Sequence, residues 1–167
     1  MSTLTQTVGR HQYALVVDTT KCIGCEACSV ACRVENEVPD GHWRSRVMAP
    51  TAGGAKVPLK WSCMHCADAP CVRVCPTQAT YRRPDGIVVI DAAKCVGCKY
   101  CIVACPSGAR YFDEKKGIPD KCDLCVGGVG GGTEPGGGVP GWSKDRTMTE
   151  LDGNGVVVVV CLPLRTM

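Results

Sequence analysis

Apolar residues in this chain come in short runs separated by turn residues, and the pattern predicts small elements. Residues 13–17 form an apolar run that predicts a β-strand, and residues 27–35 suit a short helix. Residues 79–90 predict a β-hairpin because Gly86 follows a Pro-Asp turn between two strand-like flanks, and residues 110–117 predict a shorter hairpin. Residues 33–62 are an insertion rich in proline and glycine. We therefore expect an α+β fold with little regular secondary structure.

Cysteine is the residue that changes this picture. The chain has 15 cysteines in 167 residues, and all but Cys161 fall into four groups. Two groups have the strict spacing C-x2-C-x2-C-x3-C, which typically supplies three thiolates to one iron–sulfur cluster and a fourth to its neighbour. The groups, in chain order, are Cys22, Cys25, Cys28 and Cys32; Cys63, Cys66, Cys71 and Cys75; Cys95, Cys98, Cys101 and Cys105; and Cys122 and Cys125.

Two other uses of so many cysteines are less consistent with the spacing. A secreted disulfide scaffold rarely needs repeated C-x2-C steps. A zinc ribbon uses two C-x2-C pairs for each ion and has no role for the third cysteine of the longer motif. A zinc protein would be colourless, whereas a protein with cubane clusters is brown. With a single phenylalanine in the chain, we expect clusters to fill part of the interior.

The net charge and the composition of the terminal segments indicate which partners and which cellular compartment to expect. The net charge of +3 gives no strong field, so we expect no nucleic-acid binding. Residues 1–9 are polar and resemble no secretory signal, and the apolar run at 156–162 is too short to span a bilayer. These features predict a cytoplasmic protein, although a partner's signal could export it. No phosphate loop or nucleophile–base pair predicts catalysis by this chain itself.

An internal repeat surrounds two of the cysteine groups. Residues 75–79 read CPTQA and residues 105–109 read CPSGA, and a lysine precedes a cysteine at Lys21, Lys94 and Lys121. These lysines either stabilise a reduced, more negative cluster or are solvated surface charges. His65, between two cysteines, is expected to point outward because the thiolates already satisfy the metal.

Residues 13–125 resemble the four-cluster electron-transfer subunits of molybdopterin and tungstopterin oxidoreductases. Related subunits serve dimethyl sulfoxide reductase, polysulfide reductase, formate dehydrogenase and tungsten aldehyde oxidoreductase. The resemblance is carried by VVDTTKCIGCEACSVAC, CMHCADAPCVRVCPTQA, DGIVVIDAAKCVGCKYCIVACPSGARYF and KCDLC. It implies two interlocked bacterial-ferredoxin-like units with pseudo-twofold symmetry and the clusters as core. The outer unit would comprise 1–62 with 107–167, and the inner unit 63–106.

The resemblance also implies which cysteines share a cluster. One cluster would take Cys63, Cys66, Cys71 and Cys105, and a second would take Cys95, Cys98, Cys101 and Cys75. A third would take Cys22, Cys25 and Cys28, and a fourth would take Cys32, Cys122 and Cys125. Counting the cysteines, and not the resemblance, leaves Cys161 to complete the third. Gly137 and Gly141 stand where the family has two further cysteines. Either a lineage lost these ligands or the sequence of this stretch is defective, so three to four [4Fe–4S] clusters are expected, with four favoured.

The function that the resemblance implies is a relay of single electrons. The electrons would pass between two partners. One is a large tungsten- or molybdenum-pterin catalytic subunit, of aldehyde or formate oxidoreductase type, and the other is a redox protein such as a FAD- or NAD-linked flavoprotein. Two alternatives remain: a stand-alone, diffusible polyferredoxin, and copies of the chain that bind one another into an extended wire.

Overall fold

The computed structural model describes residues 12–17, 22–52, 55–126, 148–151 and 156–160. Within those ranges, no helix is both long and apolar enough to cross a membrane. The helices are α1 (Ala27–Glu35), α2 (Pro70–Arg73) and α3 (Tyr100–Val103). The strands are β1 (Gln12–Val16), β2 (Ser45–Met48), β3 (Thr51–Ala52), β4 (Ala55–Lys56), β5 (Leu59–Ser62), β6 (Thr80–Arg82), β7 (Val88–Ile90), β8 (Tyr111–Asp113), β9 (Ile118–Asp120), β10 (Met148–Leu151) and β11 (Val156–Val160).

The strands form small sheets rather than one continuous sheet. Strand β11 lies between β1, which it pairs in parallel, and β10, which it pairs in antiparallel register. The other described pairs are two-stranded and antiparallel: β2 with β5, β3 with β4, β6 with β7 and β8 with β9. An isolated hairpin is only marginally stable in water, so these pairs need support from the loops that pack against them.

The helix predicted at residues 27–35 is confirmed with the same bounds. It begins after Glu26, whose left-handed backbone (φ 59°) turns the chain out of the first cysteine loop, and the Glu26 carbonyl accepts from Ser29 N–H. It ends at Asn36, whose side-chain amide donates to the Cys32 carbonyl at 2.8 Å. Both ends of α1 are therefore set by residues next to predicted metal ligands.

The insertion at 33–62 contains more structure than its composition indicates. Strands β2 and β5 pair over four positions, from Ser45 opposite Ser62 to Met48 opposite Leu59. Both serines are buried. The indole N–H of Trp61 donates to the Ser107 carbonyl at 2.9 Å, so the insertion packs on the second Cys-Pro segment. The sequence pattern did not predict this hairpin because proline and glycine are frequent in the insertion.

Two segments repeat the same order of elements: α2, β6 and β7, then α3, β8 and β9. Each helix has four residues and each strand three. Gln78 and Gly108 hold equivalent places after the Cys-Pro steps, and both have left-handed backbone, with φ of 54° and 58°. The hairpin predicted at 79–90 is confirmed. The one predicted at 110–117 runs on to Asp120, because Gly117 (φ 67°) lies in its turn and not at its end.

The apolar core between these repeats is small. It consists of Ala69, Cys71, Val88 and Cys101, with Cys66, Val72 and Ile102 packed against it. Two of the four central residues are cysteines, so the sulfur ligands occupy the place of an ordinary core. The short helices and strands are compatible with the α+β class. The pseudo-twofold relation, and the division into 1–62 with 107–167 and 63–106, remain predictions.

Candidate metal centre

Fourteen cysteines of the four groups lie within the described residues, and all are free thiols. Cys71 on α2 and Cys101 on α3 are buried, Cys25 and Cys98 are exposed, and the others are half-buried. Cys161, Lys21, Gly137 and Gly141 lie outside the described residues. In the part of the chain that the structure describes, no three ligating side chains converge closely enough to hold a single metal ion.

The cysteines that precede proline, Cys75 and Cys105, are each held by donors from the segment that follows. Cys75 Sγ accepts the Thr80 backbone N–H at 3.4 Å, and Cys105 Sγ lies 3.4 Å from the Ser107 hydroxyl. Burial acts to raise the pKa of both thiols, but hydrogen bonds to sulfur outweigh it and the net pKa is lowered. Hydrogen bonds of this kind favour the thiolate, which is the form that binds iron.

Arg110 lies between the two helices that carry the buried cysteines. Its Nη2 donates to Cys71 Sγ at 3.1 Å, and its charge and hydrogen bonding also lower the pKa of Cys101 against the effect of burial. Burial raises the pKa of both thiols, while the charge and hydrogen bonds of Arg110 oppose that rise. The charges of Cys71 and Cys95 add to the rise at Cys101. Thiolates assigned to two different clusters therefore lie within electrostatic reach of one guanidinium.

His65 does not point outward, and that expectation is wrong. The side chain is half-buried against β7, where Nδ1 accepts the Val88 backbone N–H at 3.0 Å and Nε2 is buried. Burial, then the charges of Lys121 and Arg110, lower the pKa of His65 to about 3. The ring is therefore neutral at pH 7, and because Nδ1 is an acceptor, Nε2 must carry the proton. The spacing between Cys63 and Cys66 did not indicate that His65 packs against β7.

Of the three lysines that precede a cysteine, Lys94 and Lys121 lie within the described residues, and their surroundings differ. The side chain of Lys94 is 64% exposed and pairs with Asp91 at 3.1 Å, as a surface charge does. Lys121 is only 2% exposed, and its Nζ donates to the carbonyls of Val88 and Cys122. Burial lowers the pKa of Lys121, while the nearby charge of Cys63 raises it. Of the two, only Lys121 is placed to act on a cluster.

Cys32, Cys122 and Cys125 influence one another although 90 residues separate the first from the second in sequence. Burial raises the pKa of Cys122 to about 11, and the charge of Cys32 adds to it. Burial likewise raises the pKa of Cys125 to about 12, together with the charges of Asp123, Cys122 and Cys32. Burial and mutual repulsion both disfavour the thiolate forms of these cysteines, and binding of metal would offset that cost. These are the three cysteines predicted for the fourth site, and that assignment remains a prediction.

A buried arginine anchors this grouping, and no sequence pattern indicated it. Arg44 in the insertion pairs with Asp120 at 2.9 Å and Asp123 at 3.3 Å, and it donates to the Asn36 side-chain oxygen at 2.6 Å. Asp120 in turn accepts the Tyr111 hydroxyl at 2.7 Å. Arg44 thus joins the end of α1 to the segment that carries Cys122 and Cys125.

The donor set fits iron–sulfur clusters. Soft thiolates are the preferred ligands of iron in such clusters, and hydrogen bonds to sulfur tune them. Within the described residues His65 Nε2 is buried without a hydrogen-bond partner. A buried N–H needs an acceptor, and cluster or ligand sulfur beside Cys63 and Cys66 would supply one. When bound, the clusters would supply one-electron redox chemistry.

Two family models, each described as "4Fe-4S dicluster domain", match residues 57–137 and 21–80. Together they span all four cysteine groups. The chain carries 4Fe-4S dicluster domains. It binds [4Fe–4S] clusters, which confirms the resemblance and decides between iron–sulfur, zinc and disulfide uses of the cysteines. The matches do not fix the number of clusters or the cysteines of each one.

Several curated proteins are similar to this dicluster chain. A tetrathionate reductase subunit of Salmonella typhimurium is 46% identical, over 70% of this chain and 49% of its own length. The thiosulfate reductase electron transfer subunit of Salmonella typhi is 46% identical, over 70% of this chain and 64% of its own length. A polysulfide reductase component of Wolinella succinogenes is 45% identical, over 68% of this chain and 63% of its own length. The chain thus spans about half to two-thirds of the curated relatives it matches.

Proposed function

We propose that this dicluster protein is the electron-transfer subunit of a pterin-dependent oxidoreductase and relays single electrons through its clusters. One observation carries the proposal: Cys71 and Cys101, expected to bind different clusters, share the guanidinium of Arg110. Clusters whose ligands lie this close are near enough for an electron to pass between them. The relatives named as reductase subunits and as an electron transfer subunit support the same role.

The ligand sets proposed are those that the resemblance implies. Each of the two inner clusters takes three thiolates from one motif and the fourth from the other. The two outer sites take Cys22, Cys25, Cys28 and Cys161, and Cys32, Cys122 and Cys125. The mutual influence of Cys32, Cys122 and Cys125 supports the last set. The chain's own contribution is to favour the thiolate at Cys75 and Cys105 by hydrogen bonds, and to place the guanidinium of Arg110 beside Cys71.

Serine variants test the crossover of ligands between motifs. Cys105→Ser is expected to perturb the cluster of the second motif, and Cys75→Ser the cluster of the third motif, because each supplies the other motif's fourth ligand. Electron paramagnetic resonance of the reduced variants should show a different signal altered in each. If each variant instead altered the cluster of its own motif, the assignment would be wrong. Iron and sulfide analysis separates three clusters (about twelve of each) from four (about sixteen).

The catalytic partner proposed is a large tungsten- or molybdenum-pterin subunit of formate or aldehyde type, and the second partner a FAD- or NAD-linked flavoprotein. A formate dehydrogenase iron-sulfur subunit of Wolinella succinogenes, 45% identical over 66% of this chain, supports the formate branch. A second candidate is a reductase of sulfur compounds, favoured by the relatives that serve tetrathionate, thiosulfate and polysulfide reductases.

Isolation of the native complex would distinguish these candidates. We expect the chain to co-purify at a fixed ratio with a large subunit whose metal, measured by mass spectrometry, is tungsten or molybdenum. Reduction of the brown chromophore by formate or aldehyde would support the first candidate, and reoxidation by tetrathionate or thiosulfate the second. A chain that purifies alone as a monomer would favour a diffusible polyferredoxin, and one that grows in size with concentration would favour a wire of copies. Fractionation of the source cells tests the proposed cytoplasmic location.

A further inference from the structure

We propose that Arg110 is a shared electrostatic link between the two inner clusters, raising the midpoint potential of both and reducing the repulsion between them when both are reduced. The inference deepens the proposed function and rests on its ligand sets, in which Cys71 and Cys101 belong to different clusters. Arg110 acts through these ligands, so it is a positioning residue and not a catalytic one.

The first support is the position of the guanidinium. Arg110 follows the CPSGA segment directly and enters the space between α2 and α3, where it is 6% exposed. One nitrogen, Nη2, lies 3.1 Å from Cys71 Sγ, and Nη1 lies 3.5 Å from Thr80 Oγ1. Its hydrogen bonding also reaches Cys101. A planar group with several donors can contact both sulfurs at once, which the single ammonium of a lysine does poorly.

The second support is charge balance. Among residues 22–52 and 55–126, no carboxylate forms an ion pair with Arg110, whereas Arg44 pairs with two. A buried cation without a counter-charge is strongly unfavourable. Among those residues, the groups near this guanidinium that can carry negative charge are cysteine sulfurs, which would hold the clusters. The charge of Arg110 is therefore directed at the metal centres.

The third support is a difference between the two repeats. Thr80 holds the place in the first repeat that Arg110 holds in the second, 30 residues later. Thr80 is neutral and contributes its backbone N–H to Cys75. Only one of the two equivalent places carries a cation, and that cation serves both halves. An electron added to either cluster adds negative charge beside Arg110, so the cation favours the reduced state of each.

The experiment is a potentiometric titration of the cluster-loaded chain, followed by electron paramagnetic resonance. Arg110→Gln should lower the midpoint potentials of both inner clusters. Arg110→Lys keeps the charge but cannot contact both sulfurs equally, so we expect a smaller shift that differs between the two clusters. Arg73→Gln is the matched control: it removes one positive charge from α2, but that side chain is 63% exposed and pairs with Asp68. Its effect should be much smaller because solvent screens it.

Fully loaded Arg110→Gln with both midpoints unchanged would overturn the inference while leaving the proposed function intact. If Arg110→Gln does not retain iron, Arg110→Met, which also removes the charge, decides, and unchanged midpoints of both clusters in that variant would equally overturn the inference. Failure of the proposed function appears differently, as wild-type protein whose clusters cannot be reduced or do not involve Cys71 and Cys101. A shift confined to one cluster in Arg110→Gln would also contradict a shared link.

Discussion

Thr80 Oγ1 and Arg110 Nη1 lie 3.5 Å apart although 30 residues separate them, and they hold equivalent places in two successive repeats. The contact shows that the repeats pack against each other through matching segments. Because the apolar core there is small, we expect polar contacts of this kind and the bound clusters to stabilise the packing of the repeats.

Replacing Thr80 by valine tests the contribution of this contact. Valine keeps the shape and the backbone N–H to Cys75, but it leaves a buried Arg110 N–H without an acceptor, at a cost of about 1 kcal/mol. At a fixed guanidinium concentration, the half-life of the brown chromophore should fall roughly five-fold. Thr77→Val, which removes a longer contact to Cys75 at 3.8 Å, should shorten it much less. Equal half-lives for Thr80→Val and wild type would contradict this account.

Lys121 and Lys94 precede cysteine motifs in the same way, yet we expect different effects from their removal. Lys121→Met removes a buried charge close to Cys63, so a midpoint potential among the inner clusters should fall. Lys94→Met removes an exposed charge already paired with Asp91, and its shift should lie within experimental error. Potentiometric titration of both variants measures this difference, and similar shifts would show that burial does not decide the effect.

The sequence predicted the elements whose signals are local. Helix α1 and the hairpin of β6 and β7 follow from apolar periodicity and a Pro-Asp-Gly turn, and both are confirmed. The hairpin of β2 and β5 was missed because proline and glycine dominate the insertion that contains it.

The cysteine spacing identified the kind of cofactor, but not the residues that surround it. Arg110 contacts Cys71 across 39 residues, and Arg44 contacts Asp120 across 76. His65 contacts Val88 across 23 residues, and no local pattern sets its inward orientation. Which charged side chain reaches which sulfur depends on how the loops pack, and that information is not present in motif spacing.

Gly97, in the third cysteine loop, should tolerate no side chain. Its φ is +68°, and a Cβ would lie 2.7 Å from the Gly117 carbonyl oxygen in the β8–β9 turn. Gly97→Ala therefore adds a backbone clash to conformational strain, and we expect loss of one cluster's iron. Gly108→Ala is the control, since its φ is +58° but a Cβ there meets nothing within 4 Å. It should cost only about 1–2 kcal/mol and keep full iron content. Equal iron loss in Gly97→Ala and Gly108→Ala would show that backbone strain, and not the clash with Gly117, causes the loss.

Arg44 should be the residue on which the site of Cys32, Cys122 and Cys125 depends most. Arg44→Met removes the arginine that pairs with Asp120 and Asp123 and leaves the buried Asp120 only a distant lysine, Lys116 at 4.0 Å. Breaking a buried ion pair in this way costs about 3–5 kcal/mol. Because Arg44 joins the end of α1 to the segment after β9, the loss should separate Cys32 from the other two cysteines. With four clusters in the wild type, we expect iron and sulfide to fall by one cluster's content while the signals of the inner clusters persist.

Arg73→Met is the control for Arg44, because it breaks an exposed pair with Asp68 worth at most about 1 kcal/mol. It should retain the iron content of the wild type. If Arg44→Met also retained that content, the three cysteines would be held together without the ion pairs. The inner ligands lie on α2, α3 and their loops, and Arg44 contacts none of these in the described hydrogen bonds and ion pairs. Loss of the inner clusters in Arg44→Met would therefore show that the ion pairs of Arg44 with Asp120 and Asp123 stabilise the whole fold and not one site.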